Sequence, residues 1–226
     1  MSLLAACAPQ IPFERETSSL PLPEKDYIEA AQSGSAIYKI SPEESLLLIR
    51  VGRAGKMAKL GHDHAVASKD LQGYIEIAAD RSASRADIVM PLKSLIVDKA
   101  EYRERMGLES SPSPGDIAGT YSNMRGVLEA EQFPWAKVEA QFVSTDPAST
   151  KINASITLHG VTLDFTVPVE IDFDETRLSV NGRMSFAQSD FGLIPFSSAG
   201  GLLRVADELQ VEFELVAIRY QSAPTR

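Results

Sequence analysis

His62 and His64 carry the clearest chemical potential in the chain, as two imidazoles two positions apart in Gly61-His62-Asp63-His64. In an extended segment such a pair shares one face, a spacing that suits two ligands of a zinc or copper ion. Asp63 then points the other way, and His159 is the only other histidine. A metal would need a third ligand that the sequence does not identify. The alternative is a turn whose histidines bond backbone groups or face solvent. Ser189-Asp190 and a distant histidine hold the atoms of a nucleophilic triad, but there is no Gly-x-Ser-x-Gly elbow, and serine and aspartate are common in turns. No glycine-rich phosphate loop occurs. Arg53, Lys56 and Lys59, just ahead of the histidines, are placed to meet a pyrophosphate or carboxylate head or to form a solvated basic face. No catalytic residue, cofactor or metal is assigned.

The elements that must position these residues are strands. From Ile152 to Phe173 apolar residues recur at every second position: Ile152, Ala154, Ile156 and Leu158 on one arm, then Val161, Leu163, Phe165, Val167, Val169, Ile171 and Phe173 on the other. A period of two held this long marks strands with one dry face. His159-Gly160 separates the arms, so Gly160 supplies a permissive turn and the arms pair as a hairpin. The same alternation is legible over 45–51, 71–77, 86–92, 136–142, 178–186 and 209–217, eight strands in all, with a further short one at 37–40. Pro91 argues for an edge or bulge. Between them, Asp98 and Glu101 resemble a capping box with Gly107 at the helix end. Ser113-Pro114-Gly115-Asp116 reads as the start of a second helix, carrying Ile117, Tyr121, Met124 and Leu128 on one side. Residues 187–208, with Gly192, Pro195, Gly200 and Gly201, read mainly as loop. Alternation alone leaves a closed barrel and a two-sheet sandwich both open.

The formal charge of −9 over 226 residues excludes a general nucleic-acid binder, which needs a basic face to displace counterions. No stretch approaches the roughly 20 apolar residues of a membrane-spanning helix. The single cysteine rules out an internal disulfide, and its context, Leu4-Ala5-Ala6-Cys7, resembles a bacterial lipobox. The basic start and apolar core of a signal peptide are missing, which points to a start further upstream or a trimmed signal. Residues 8–35, with Pro9, Pro12, Pro21 and Pro23, read as a tether, with one helical turn at Tyr27–Gln32.

Three motifs, in order, carry a family resemblance. Leu158-His159-Gly160-Val161-Thr162 resembles a central hairpin motif, Ser189-Asp190-Phe191-Gly192 a late Ser-Asp-Phe-Gly motif, and Val127 to Pro134 a helix-to-strand connection. Together they resemble the YceI-like group of lipocalin-like, polyisoprenoid-binding proteins, over about Ala36 to Ile218. The resemblance implies an all-β fold, an extended antiparallel eight-stranded lipocalin-like barrel with a short helical insertion, spanning 36–220. Residues 1–35 precede it as signal remnant, lipobox and tether, and 221–226 follow as a disordered tail. It also implies an apolar tunnel, lined on the alternation by Phe142, Ile156, Leu158, Phe165, Val167, Met184, Phe186, Val211 and Phe213. The expected partner is a long isoprenoid or fatty chain, bound without catalysis in the periplasm. Lipidation at Cys7 would hold the protein to the outer membrane as its sole membrane attachment; no nucleic acid is expected, and a homodimer stays open. Two departures stand out. The family usually has an arginine before Ser-Asp-Phe-Gly, where this chain has Gln188, and a single histidine where this chain has His62 and His64. The alternatives are a metal- or redox-associated module using those histidines, and a structural envelope lipoprotein with a closed core.

Overall fold

The structure, a computed structural model, describes residues 21–143 and 150–221. Cys7, most of the expected tether and the tail from residue 222 lie outside the described residues.

Twelve strands form one antiparallel sheet that closes on itself. In chain order they are β1 (Ala36–Ile40), β2 (Leu46–Ala54), β3 (His64–Ser68), β4 (Gln72–Ile77), β5 (Arg85–Pro91), β6 (Ile96–Val97), β7 (Trp135–Phe142), β8 (Lys151–Leu158), β9 (Val161–Phe173), β10 (Arg177–Ala187), β11 (Ser197–Ser198) and β12 (Leu203–Arg219). Three helices accompany them: α1 (Glu24–Gln32), α2 (Ala100–Arg105) and α3 (Pro114–Val127). The first six strands are halves of three bent staves. β1 pairs β4 while β2 pairs β3, and β5 pairs β4 while β6 pairs β3. Counted as staves, the barrel has eight, each antiparallel to its neighbour in sequence. β12 closes it by pairing β10 on one side, and β2 and then β1 on the other.

The break in the first stave shows how the ladder survives a bend. Between Ile40 and Leu46 the backbone keeps one bond to β12, Ser41 N–H to Val216 C=O at 2.8 Å, and the fully buried Ser45 hydroxyl supplies the other, accepting from Val216 N–H at 3.0 Å while also donating to Val216 C=O at 3.2 Å. A buried peptide group left without a partner there would cost about 1–3 kcal/mol. The β8–β9 hairpin forms as the alternation requires, with Leu158 opposite Val161. His159 and Gly160 both take positive φ, 52° and 75°, the two-residue turn whose twist matches its strands.

Several elements differ from the sequence reading. β2 runs on to Ala54, and β3 begins at His64, between the strands expected over 45–51 and 71–77, where the alternation gives none. β12 begins at Leu203, within the stretch read as loop to residue 208. Residues 24–32 belong to a helix and not to an extended tether: α1 seats a fully buried Tyr27 against Ile37 and Tyr74 on the outside of β1 and β4. α2 is not capped by Asp98; its N-cap is Lys99, without a side-chain cap bond. Asp98 is spent elsewhere, as described below. α3 does begin as read, with Ser113 and Asp116 forming a reciprocal capping box and Pro114 at the first helical position. It packs Ile117, Tyr121, Met124 and Leu128 against the core.

Candidate ligand-binding site

Inside the barrel lies a cavity of ≈ 380 Å³. Its walls are the inward faces of all eight staves, with α3 contributing Thr120, Asn123 and Met124 at one end. The 13 residues of β9, at about 3.3 Å each and tilted by about 40°, give a wall roughly 33 Å tall. Of the nine residues expected to line a tunnel, Phe142, Ile156, Leu158, Val167, Met184, Phe186, Val211 and Phe213 do so. Phe165 does not. It is turned to the inner face as expected, but the 3-10 turn after β10 folds Phe191 in beside it. The two rings stack at 6.2 Å, and Phe186 abuts both at 6.2 and 5.1 Å. Gly182 explains part of the free space. A Cβ there would sit 2.4 Å from the Phe213 ring across the ladder, so the missing side chain lets that ring lie against its neighbouring strand.

Polar lining is confined to the two ends. At the end where β4 meets β5 are Ser84 and the backbone of Glu76, Arg85 and Gln141, whose side chains alternate to the outer face; at the α3 end are His64, Thr120, Asn123 and Gln188. His64 anchors the second group. Its Nδ1 lies 2.6 Å from Asp98 Oδ2. Asp98, with a fully buried side chain, also accepts Ala65 N–H at 2.9 Å and the Arg103 guanidinium. Arg103, also buried, bonds the carbonyls of Asp63 at 2.9 Å and Ser110 at 2.8 Å. Asp98 takes φ 51°, an uncommon conformation for a residue with a side chain, held by these bonds. Burial pushes its carboxyl up, but the bonds from His64, Ala65 N–H and Arg103 outweigh that and hold it below the usual carboxylate range. In a neutral ring with Nδ1–H given to Asp98, Nε2 is an acceptor, and it makes no hydrogen bond among the described residues.

His62 and His64 do share a face, with ring centroids 4.6 Å apart. His62 Nε2 is buried with no partner among the described residues. Burial, then the neighbouring His64, lowers its pKa below the ordinary 6.5. The third group is Asp98: one ligand atom from each of His62, His64 and Asp98 falls within 4.8 Å of the others. As a metal site the cluster is nevertheless poor. Both Asp98 oxygens are already bonded, and the Arg103 cation sits where a metal ion would be repelled. Asp63 faces away, as expected, bonding Arg50 at 3.0 Å and Arg53 N–H at 3.1 Å.

The Ser189 hydroxyl donates to Asp207 Oδ2 at 2.5 Å, and Ser189 N–H to Oδ1 at 2.8 Å, so this serine holds a turn and has no histidine base. His159 instead joins the three motifs. Its ring meets Phe133 edge-on at 4.7 Å, its Nδ1 lies 3.3 Å from the Phe191 carbonyl, and its Nε2 lies 3.4 Å from Glu129. These motifs form a packed corner at the α3 end. Arg53, Lys56 and Lys59 do not line the cavity. Sequence reading missed Asp98 and Arg103; the distance of Asp98 from the histidines along the chain leaves no local signal of the pairing.

A closed antiparallel barrel of eight staves with an apolar interior defines a lipocalin-like binding-protein fold. The family model described as YceI-like domain matches residues 38–217. The chain belongs to the YceI-like family. The crystal structure of BcnA from Burkholderia cenocepacia is similar, with a TM-score of 0.56 at 15% identity, covering 79% of this chain and 99% of that one. A Campylobacter jejuni YceI protein gives a TM-score of 0.48 at 16% identity, covering 68% and 83%. No curated protein matches the sequence.

Proposed function

We propose that the barrel binds and carries a long apolar chain, isoprenoid or fatty, without catalysis, in the bacterial periplasm. The observation that carries this reading is the apolar cavity that runs between two polar ends inside a closed barrel. Each methylene buried there contributes roughly 0.8 kcal/mol, so about ten reach micromolar affinity after ordering costs. The chain's polar head belongs at the α3 end and is neutral. Gln188 replaces the family's usual arginine and donates to Ala206 C=O at 2.8 Å. The charged residues nearest the cavity, Glu76 and Arg85, stand at the opposite end and pair with each other on the barrel's outer face at 2.9 Å. An alcohol or phenol head would donate to His64 Nε2, where a phosphate would find no cation.

Leu158→Trp tests the cavity, because it fills the lumen and stays apolar. It should cut displacement of a fluorescent fatty or isoprenoid probe by tenfold or more, while costing about 1–3 kcal/mol of stability from overpacking. Folded, lipid-stripped wild type that takes no chain of any length would defeat the carrier reading. The periplasmic, lipid-anchored part rests on Leu4-Ala5-Ala6-Cys7 and on the family. In the native host, Cys7→Ser should let high salt release the protein from the membrane fraction, where lipidated wild type stays; a variant as salt-resistant as wild type would sink the anchor.

A further inference from the structure

The loop after β2 and the segment before β12 form one lobe at the α3 end. Met57 N–H donates to Leu202 C=O at 3.0 Å, Val205 N–H to Phe196 C=O at 2.9 Å, and β11 pairs the start of β12. Among the described residues, five of the seven exposed large hydrophobic side chains sit on this lobe: Met57, Leu60, Ile194, Phe196 and Leu202. Leu60 is 71% and Ile194 83% exposed, which ordinary packing does not explain. Phe196 is both on the surface and in the cavity lining, so the lobe stands at the cavity's mouth. Residues 53–62 and 193–206 contain Arg53, Lys56, Lys59 and Arg204 and no carboxylate, in a chain of net charge −9. Of the flanking acids, Asp63 and Asp207 are bonded to Arg50 and Ser189, which leaves Asp190, exposed in the turn before Gly192, against the four cations.

We propose that this lobe docks the barrel, mouth first, on an anionic lipid bilayer. Single apolar tips alternating with cations, Lys56-Met57 and Lys59-Leu60, match the boundary between anionic headgroups and acyl chains. The local cations orient a chain whose overall charge would repel such a surface. A second copy fits poorly, because a two-fold contact sets the patch against itself and brings like charges together. Docked this way, a chain ligand passes between bilayer and cavity without crossing water. That consequence rests on the carrier reading; the docking does not.

The test is co-sedimentation of the full, unlipidated chain with vesicles of phosphatidylcholine alone, or of one part phosphatidylglycerol to two parts phosphatidylcholine. Wild type should pellet with the mixed vesicles and lose binding as salt rises. Leu60→Ser with Ile194→Ser should weaken binding roughly 10- to 100-fold. Lys56→Gln with Lys59→Gln should weaken it about 5-fold per lysine. Neither Leu60 nor Ile194 lines the cavity, so the first pair should leave probe binding in vesicle-free solution and the melting temperature unchanged. Absence of binding to mixed vesicles overturns the proposal, as does binding that ignores both variants. A dimer in sedimentation velocity that the Leu60/Ile194 variant dissolves would assign the patch to a second copy instead. Protein that docks but takes no probe keeps this proposal and loses the carrier reading; protein that takes the probe but never docks does the reverse.

Discussion

The two ends of the cavity are built from similar side chains left in different states. At the Glu76 end the side chains of Glu76, Arg85 and Ser84 all have partners, the first two on the barrel's outer face. Arg85 pairs Glu76 and lies over the Tyr27 ring at 4.6 Å, Arg81 covers Phe173 at 4.5 Å, and the Ser84 hydroxyl accepts Ala78 N–H at 3.1 Å. At the α3 end valences are left over: His62 Nε2 is buried without a partner among the described residues, and apolar side chains stand in solvent. Buried polar groups are ordinarily satisfied within the chain, so the contrast marks the α3 end as the one completed by something else. It also separates two kinds of polar residue there. Asp98 and Arg103 complete each other and hold the wall; His64 and Gln188 face the lumen.

The largest expected effect breaks the structural half of that distinction. Asp98→Ala leaves the Arg103 charge buried, frees Ala65 N–H and releases His64, so urea unfolding should show a loss of about 3–5 kcal/mol. A loss below about 1 kcal/mol, the range of exposed pairs, would mean the network is solvated. The next sharpens the comparison between ends. Gln188→Arg restores a cation beside the head and should improve binding of a fatty acid over its alcohol by about tenfold. The same charge placed by Phe142→Arg, on the inner face at the other end, should leave that ratio alone; equal shifts from both would erase the polarity assigned to the cavity.

The smallest effect concerns pH. His62 has a lowered folded pKa, so unfolding takes up a proton as pH falls below the unfolded value of about 6.5. Its contribution is complete above that pH and declines as pH falls toward the lower folded value. Asp98 acts later with the same sign, its contribution being lost below an unfolded pKa of about 3.9 as pH falls through its lower folded value. Melting temperature should therefore drop gently from pH 7 to pH 5 in wild type, and His62→Gln should flatten that stretch alone. A wild-type curve that is already flat there would show that His62 titrates normally.

What the sequence determined by itself is the side chains' division between two faces. Alternation is local: successive Cβ atoms point to opposite sides of a strand whatever it pairs with. That is why eight of nine lining residues, the β8–β9 hairpin and the α3 cap were legible. Tertiary structure decided the rest through contacts between distant segments. β3 escaped notice because α2 covers its outer face with Tyr102, burying Ala65 and Ala67 as well as Val66 and removing the polar half of the pattern. Phe165 is displaced from the lumen by Phe191, delivered by the turn after β10. Asp98 meets His64 because β6 pairs β3, which brings residues 34 apart to 2.6 Å. Periodicity tells which way a side chain faces; only the closed barrel sets what it faces.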